Sequence, residues 1–263
     1  MTALVSRVLV AAVLLPVVFL LIWVGGWWMV GLAAVVAMVA LHELYLMTRE
    51  LRPVLLAGYA GTLATLVGAA WGPEWALAGF FSTLPLVFLF KAAAGAMPSI
   101  TSVSVTVLGS AWIGLGLAHL VLIRELPEHG VLALSTIVLA VFASDTAAFA
   151  AGRVIGRHKM APQTSPGKTW EGFVAGTIAA LVVPFFALYE EDFLTVPESL
   201  GLGAVVAVAG PVGDLFESAL KRDAGVKDSG RVLLGHGGML DRIDAFLFTG
   251  VAAYYLLKAV GAA

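Results

Sequence analysis

Between Asp214 and Asp244 the chain gathers side chains that could handle phosphate and a metal ion. Asp214, Glu217 and Lys221 follow one another at i, i+3 and i+7, and Asp241 and Asp244 at i and i+3. On helices these spacings put each set on one face. If the two sets sit at the ends of neighbouring helices joined by a short loop, three aspartates approach one another. Unpaired like charges there repel or take up protons. A hard cation relieves the conflict, and Mg²⁺ held by a few carboxylates together with substrate phosphates is a common arrangement. The intervening segment supplies Gly225, Gly230, Gly235, Gly237 and Gly238, whose backbone N–H groups a ligand can approach closely. It also brings the cations Lys221, Arg222, Lys227, Arg231 and Arg242. The plainer reading makes the basic residues lipid-headgroup anchors and the carboxylates their ion-pair partners, with Glu217 serving only Lys221 at i+4.

A second polar connection runs from Asp145 through Gly152-Arg153-x-x-Gly156-Arg157-His158-Lys159 to Ser165-Pro-Gly-Lys168-Thr169-Trp170-Glu171-Gly172. Asp145, Phe149 and Gly152 share a helix face, and the Ser165–Glu171 stretch precedes an apolar run. Cations and hydroxyls near a helix N-terminus suit a triphosphate or a lipid phosphate. Asp145 can orient a cation, contact a nucleotide or assist a metal. Two other motifs do not complete. Gly167-Lys168-Thr169 ends like a P-loop, but Pro162 occupies the place of the required glycine. His42-Glu43 begins like a zincin helix, but residue 46 is Leu, which leaves His42 an ordinary boundary residue. His119 and His129 lack acidic or imidazole neighbours at ligand spacing and read as structural.

The elements that must position these residues are membrane helices. The 263 residues are 60% hydrophobic and 12% charged, against about 45–50% and 25% in a soluble domain. A net charge of −2 gives no reason to expect nucleic-acid binding. The absence of cysteine excludes disulfides, thiolate nucleophiles and Cys-ligated metals. A span needs about 20 mostly apolar residues. Nine runs qualify, at about 6–24, 27–47, 54–72, 75–92, 103–123, 131–151, 170–189, 199–220 and 241–260. The first could be a signal peptide, but it is long, lacks a cleavage site and leads directly into the next run, so it reads as a retained span. With the amino terminus in the cytoplasm, all of the 15 basic residues except Arg124 and Lys258 fall on that side. The connection carrying Glu190, Glu191, Asp192 and Glu198, without Lys or Arg, then faces the other way. The fold expected is all-α and polytopic, integral to the cell membrane. Residues 1–140 form a helical scaffold with oligomer contacts, and 141–263 carry the polar loops.

The pattern Ser218-x-x-Lys221-Arg222-x4-Lys227-Asp228, followed by His236-Gly-Gly-x-x-Asp241-Arg242-x-Asp244, resembles that of the phosphatidate cytidylyltransferase (CDP-diacylglycerol synthase) family. Leu234 stands where that family usually has Pro, and Gly167 where it often has a second Lys. The resemblance implies transfer of a cytidylyl group from CTP to phosphatidate at the cytoplasmic face, giving CDP-diacylglycerol and pyrophosphate. It implies Mg²⁺ on Asp214, Asp241 and Asp244, with room for a second divalent or monovalent cation. Lys221, Arg222, Lys227, Asp228, His236 and Arg242 complete the expected catalytic set. Asp145, Arg153, Ser165, Lys168, Thr169, Glu171 and Ser218 are the expected substrate-binding residues, and a homodimer is expected from the resemblance alone. Three rivals share parts of this description. A CDP-alcohol phosphotransferase would consume CDP-diacylglycerol, but its Asp-Gly-x-x-Ala-Arg segment with two downstream aspartates is absent from the sequence. A CTP-dependent polyprenol or phytol kinase would have similar carboxylates but transfer the γ-phosphate to an alcohol. A secondary transporter also places carboxylates in spans but tends to show inverted repeats, and none is visible.

Overall fold

The computed structural model describes residues 15–230 and 237–262. The chain folds into α1 (Leu15–Val24), α2 (Gly26–Met47), α3 (Leu55–Ala69), α4 (Pro73–Phe81), α5 (Thr83–Ala93), α6 (Ile100–Gly109), α7 (Gly116–Arg124), α8 (Gly130–Val154), α9 (Trp170–Leu188), α10 (Val196–Asp223) and α11 (Leu240–Ala259). A π-helical segment, Ser110–Leu115, joins α6 to α7 without a break. The one departure from helix that bears on the site is a small antiparallel hairpin, β1 (Lys159–Ala161) and β2 (Ser165–Thr169), built within the second polar connection.

Among the described residues, six helical stretches are long and apolar enough to cross a membrane: α2, α4 with α5, α6 through α7, α8, α9 and α10. Helices this apolar around their circumference do not sort into a wet and a dry face, which is the signature of a lipid environment. The protein is an all-α polytopic membrane protein. α3 is shorter than a standard span, and α11 carries Asp241 and Arg242 in its first turn and Asp244 at the start of its second. Of the first apolar run, residues 6–14 lie outside the described residues.

The chain forms two compact units, one of Met1–Glu125 with Ala224–Ile243, the other of Leu126–Asp223 with Asp244–Ala263. Residue 140, where the sequence suggests a division of labour, lies inside α8. In the first unit, Leu41, Leu44, Tyr45, Leu66 and Ile113 are fully buried. A polar seam runs through this core. The Tyr45 hydroxyl donates to the Thr106 carbonyl at 3.1 Å, the Val54 N–H to Thr106 Oγ1 at 2.8 Å, and Thr62 Oγ1 to Ser110 Oγ at 3.2 Å. Such bonds tie helices together where apolar burial supplies little drive, because lipid is as apolar as the core. Arg124 donates to the Ile22 and Trp23 carbonyls at the end of α1, and Glu125 accepts from the Gly26 N–H at the start of α2. Those two residues therefore close the break between α1 and α2.

The second unit packs α8, α9, α10 and the body of α11 around Ala140, Val141, Ala180, Val206, Ala207 and Ala245. Small residues let these backbones approach closely. Gly213 marks the tightest approach that matters here, because a Cβ at that position would collide with the Asp244 carbonyl. That contact brings Asp214 of α10 beside Asp244 of α11.

Candidate active site

In the second unit, four carboxyl groups and two ammonium groups come from three helices, α8, α10 and α11, and the hairpin. Asp214 Oδ2 accepts from Lys168 Nζ at 2.8 Å, and its Oδ1 from Ser218 Oγ one turn later at 3.2 Å. Lys168 also donates to the Pro211 carbonyl at 3.2 Å, which anchors β2 to α10 at a helical proline. Glu217, almost fully buried, pairs with Lys221 at 2.9 Å. Asp244 is buried, accepts from the Ala245 N–H at 2.8 Å, and is a hydrogen-bond neighbour of Glu217. The Asp214 charge acts on both Asp145 and Asp244, and Lys168 also acts on Asp145. Four carboxyl groups thus meet two ammonium groups, and Glu217 and Asp244 share a hydrogen bond that requires a proton on one of them. The excess of carboxyl groups is of the sign that a divalent cation offsets, and the donors are oxygens, the class Mg²⁺ takes. Among the described residues, no three acidic or imidazole side chains converge as finished ligands of a single ion. The fit is therefore one of charge and donor type.

The remaining residues of the second polar connection organise its backbone. Thr169 caps α9, its buried hydroxyl accepting from the Gly172 N–H at 3.1 Å. Glu171 accepts from the Arg157 N–H at 3.1 Å and the His158 N–H at 3.2 Å, and meets His158 Nδ1 at 2.6 Å. Arg222 Nε donates to the Thr164 carbonyl in the hairpin turn at 3.3 Å. Ser165 opens β2 and is half-buried, while Arg153 near the end of α8 is exposed. The expected pair Glu217 and Lys221 is present, and both lie among the aspartates rather than apart from them.

The other part of the sequence motif belongs to the first unit. Asp241 Oδ2 accepts from the Gly238 N–H at 2.8 Å, the Ser229 N–H at 3.1 Å and Ser229 Oγ at 3.0 Å. Gly237 adopts φ +81°, the left-handed conformation that favours glycine. Asp241 thereby folds the loop back onto the first turn of its own helix. Lys227, Asp228 and Arg242 are exposed. His236 lies outside the described residues. Neither Glu43 nor Ser229 figures among the residues the sequence singles out for chemistry, yet both are buried at this loop. His42, as an ordinary boundary residue would, bonds a neighbour, with Nδ1 2.8 Å from the Tyr59 hydroxyl.

Comparison with known proteins extends over nearly the whole chain. The model of the cytidylyltransferase family matches residues 5–260. A phosphatidate cytidylyltransferase of Staphylococcus haemolyticus is 32% identical over 249 residues, covering 92% of this chain and 94% of that protein. One of Mycobacterium bovis is 33% identical over 263 residues, covering 92% of this chain and 84% of the relative. One of Staphylococcus aureus strain COL is 32% identical over 249 residues, with 92% and 94% covered. Matched by the family model over residues 5–260 and by relatives over 92% of its length, the chain belongs to the cytidylyltransferase family.

Proposed function

We propose that this membrane enzyme transfers the cytidylyl group of CTP to phosphatidate, giving CDP-diacylglycerol and pyrophosphate, at the cytoplasmic face. The observation that carries the proposal is the cluster of Asp145, Asp214, Glu217 and Asp244 with Lys168 and Lys221, in a chain whose relatives over 92% of its length are phosphatidate cytidylyltransferases. A phosphate oxygen of one anion must approach the α-phosphorus of another, so charge neutralisation and alignment dominate the barrier. Phosphatidate already presents an ionised oxygen near neutral pH, and the chain need not supply a general base. The crowding of basic residues on one side of the charge-based topology supports a cytoplasmic site, which CTP reaches directly.

Asp214 and Asp244 are the residues that would hold Mg²⁺, with Asp145 and Glu217 setting the negative field around them. When bound, the ion supplies positive charge and oxygen coordination to the triphosphate. Lys168, now on Asp214, and Lys221, now on Glu217, are placed to turn toward phosphate oxygens, and Arg222 beside the hairpin turn adds a third cation. Asp241, one helical turn before Asp244, shapes the loop that precedes α11. In that loop Lys227 and Arg242 are cations of the kind that phosphate oxygens accept from.

The test is purified protein in detergent with phosphatidate and CTP labelled in either the α- or the γ-phosphate, with and without Mg²⁺. The reading requires the α-label in CDP-diacylglycerol and the γ-label in pyrophosphate. Gamma-label appearing in a lipid phosphate, or no Mg²⁺-dependent product, overturns it.

A further inference from the structure

Glu43 is an acidic residue near the end of an otherwise apolar helix, α2, and only 2% of its surface is exposed. Burying a carboxylate is unfavourable unless its oxygens are satisfied, and here they are satisfied by residues nearly two hundred positions away. Oε1 accepts from the Met239 N–H at 3.0 Å, and Oε2 accepts from the Leu240 N–H at 2.9 Å and Ser229 Oγ at 3.2 Å. Leu240 begins α11 and Met239 stands just before it, so Glu43 binds amide groups that a helix start leaves without intrahelical partners, and its charge suits that positive end.

The loop is shaped to admit it. A Cβ on Gly230 or on Gly238 would collide with the Glu43 carboxylate. The Ser229 hydroxyl lies between Glu43 and Asp241, so the two acids hold the same turn from two sides. Glu43 receives the start of α11 while Asp241 receives Gly238 and Ser229, and all of these residues belong to one compact unit.

We propose that Glu43 is a positioning residue for the reaction: it fixes Ser229 and the start of α11, and with them the placement of Lys227 toward substrate phosphate. This rests on the reading that the loop handles phosphate, and the experiment separates the two ideas. Full-length Glu43→Gln and Glu43→Asp proteins are purified in detergent. Amide exchange is followed at Ser229, Met239 and Leu240, and kcat and KM are measured for CTP and phosphatidate.

Gln retains one acceptor oxygen and turns an NH₂ toward N–H donors, so exchange at Met239 and Leu240 should rise at least tenfold, with kcat/KM falling by a similar factor. Asp retains charge and both oxygens on a shorter stem and should recover part of each loss. Gly230→Ala leaves Glu43 in place chemically but fills its space, and should reproduce the Gln phenotype even if the Gln protein fails to fold. Exchange unchanged in both the Gln and the Gly230→Ala proteins overturns the role of Glu43. Faster exchange with wild-type kinetics overturns the loop's part in the reaction, and with it the positioning role.

Discussion

In the first unit Glu43 and Asp241 face backbone amides and one serine hydroxyl, whereas in the second Asp145, Asp214, Glu217 and Asp244 face mainly ammonium groups and one another, with a single backbone amide on Asp244 and a serine hydroxyl on Asp214. The difference is one of exchangeability. A backbone N–H cannot leave its acceptor unless the loop unfolds, so the first pair is committed to holding a shape. A lysine can swing away about its four-carbon stem, so the second set can pass its negative charge to an incoming cation or let its lysines go to a phosphate. Acidic residues that look equivalent in a motif thus divide into those that build the loop and those that meet the reactants.

The sharpest way to break this comparison is to neutralise one acid from each side. Asp214→Asn or Asp244→Asn should lower kcat by about 10²–10³-fold, the usual scale for losing a charge that acts on the reacting groups. The protein should still extract and melt as the parent does, as checked by turnover and thermal unfolding in detergent. Near-normal turnover in both would remove them from the reaction. Asp241→Asn should cost less, about ten- to a hundredfold in kcat/KM, because hydrogen bonds to a charged acceptor stabilise by about 1.5–3 kcal/mol. Its loss should come with faster amide exchange at Ser229 and Gly238. If Asp241→Asn is as damaging as Asp214→Asn with exchange unchanged, Asp241 also meets the reactants, and the two sets are one.

Much of this arrangement was legible before any coordinates. Helical spacing alone put Asp214, Glu217 and Lys221 together, and the short residue Gly213 beside Asp214 is where α10 meets Asp244. Apolar run length located the helices, since a chain this poor in charge has few other ways to satisfy its backbone in lipid. What could not be read were partners distant in sequence. Local spacing sets Glu43 only against a metal motif that it fails, while its partners begin at Ser229. The salt bridge of Lys168 with Asp214 depends on a hairpin of three and five residues, too short to leave a hydrophobic period. The return of Ala224–Ile243 to the N-terminal unit is likewise a tertiary fact, because hydropathy records whether a segment is apolar and not which helices receive it.

Lys168 offers a finer test of exchangeability. Lys168→Met removes the ammonium group from Asp214 Oδ2 and from the Pro211 carbonyl while retaining the length of the stem. Turnover at saturating Mg²⁺ should fall about tenfold, at the low end of the scale for a charged hydrogen bond. The Mg²⁺ concentration for half-maximal activity should fall as well, because lysine no longer competes for the same oxygen. A rise in that concentration would mean that Lys168 helps to assemble the site instead of holding Asp214 until a cation arrives.

Glu171 should give the smallest effect, and it tests the comparison from inside the second unit. Its carboxylate, like those of Glu43 and Asp241, accepts from backbone, at Arg157 and His158, and the adjacent Thr169 hydroxyl caps the same helix. By the rule of exchangeability it belongs with the loop builders, although the family resemblance assigns it to substrate. Gln at this position keeps an oxygen that can accept the same two N–H groups, since its NH₂ can turn outward to solvent. Only the charge assistance and the contact with His158 Nδ1 are weakened. Glu171→Gln should therefore stay within about threefold of parental kcat/KM, with amide exchange at Arg157 and His158 a few-fold faster. A hundredfold loss of activity with those amides still protected would place Glu171 against the reactants, and would show that accepting from backbone does not by itself remove a carboxylate from the chemistry.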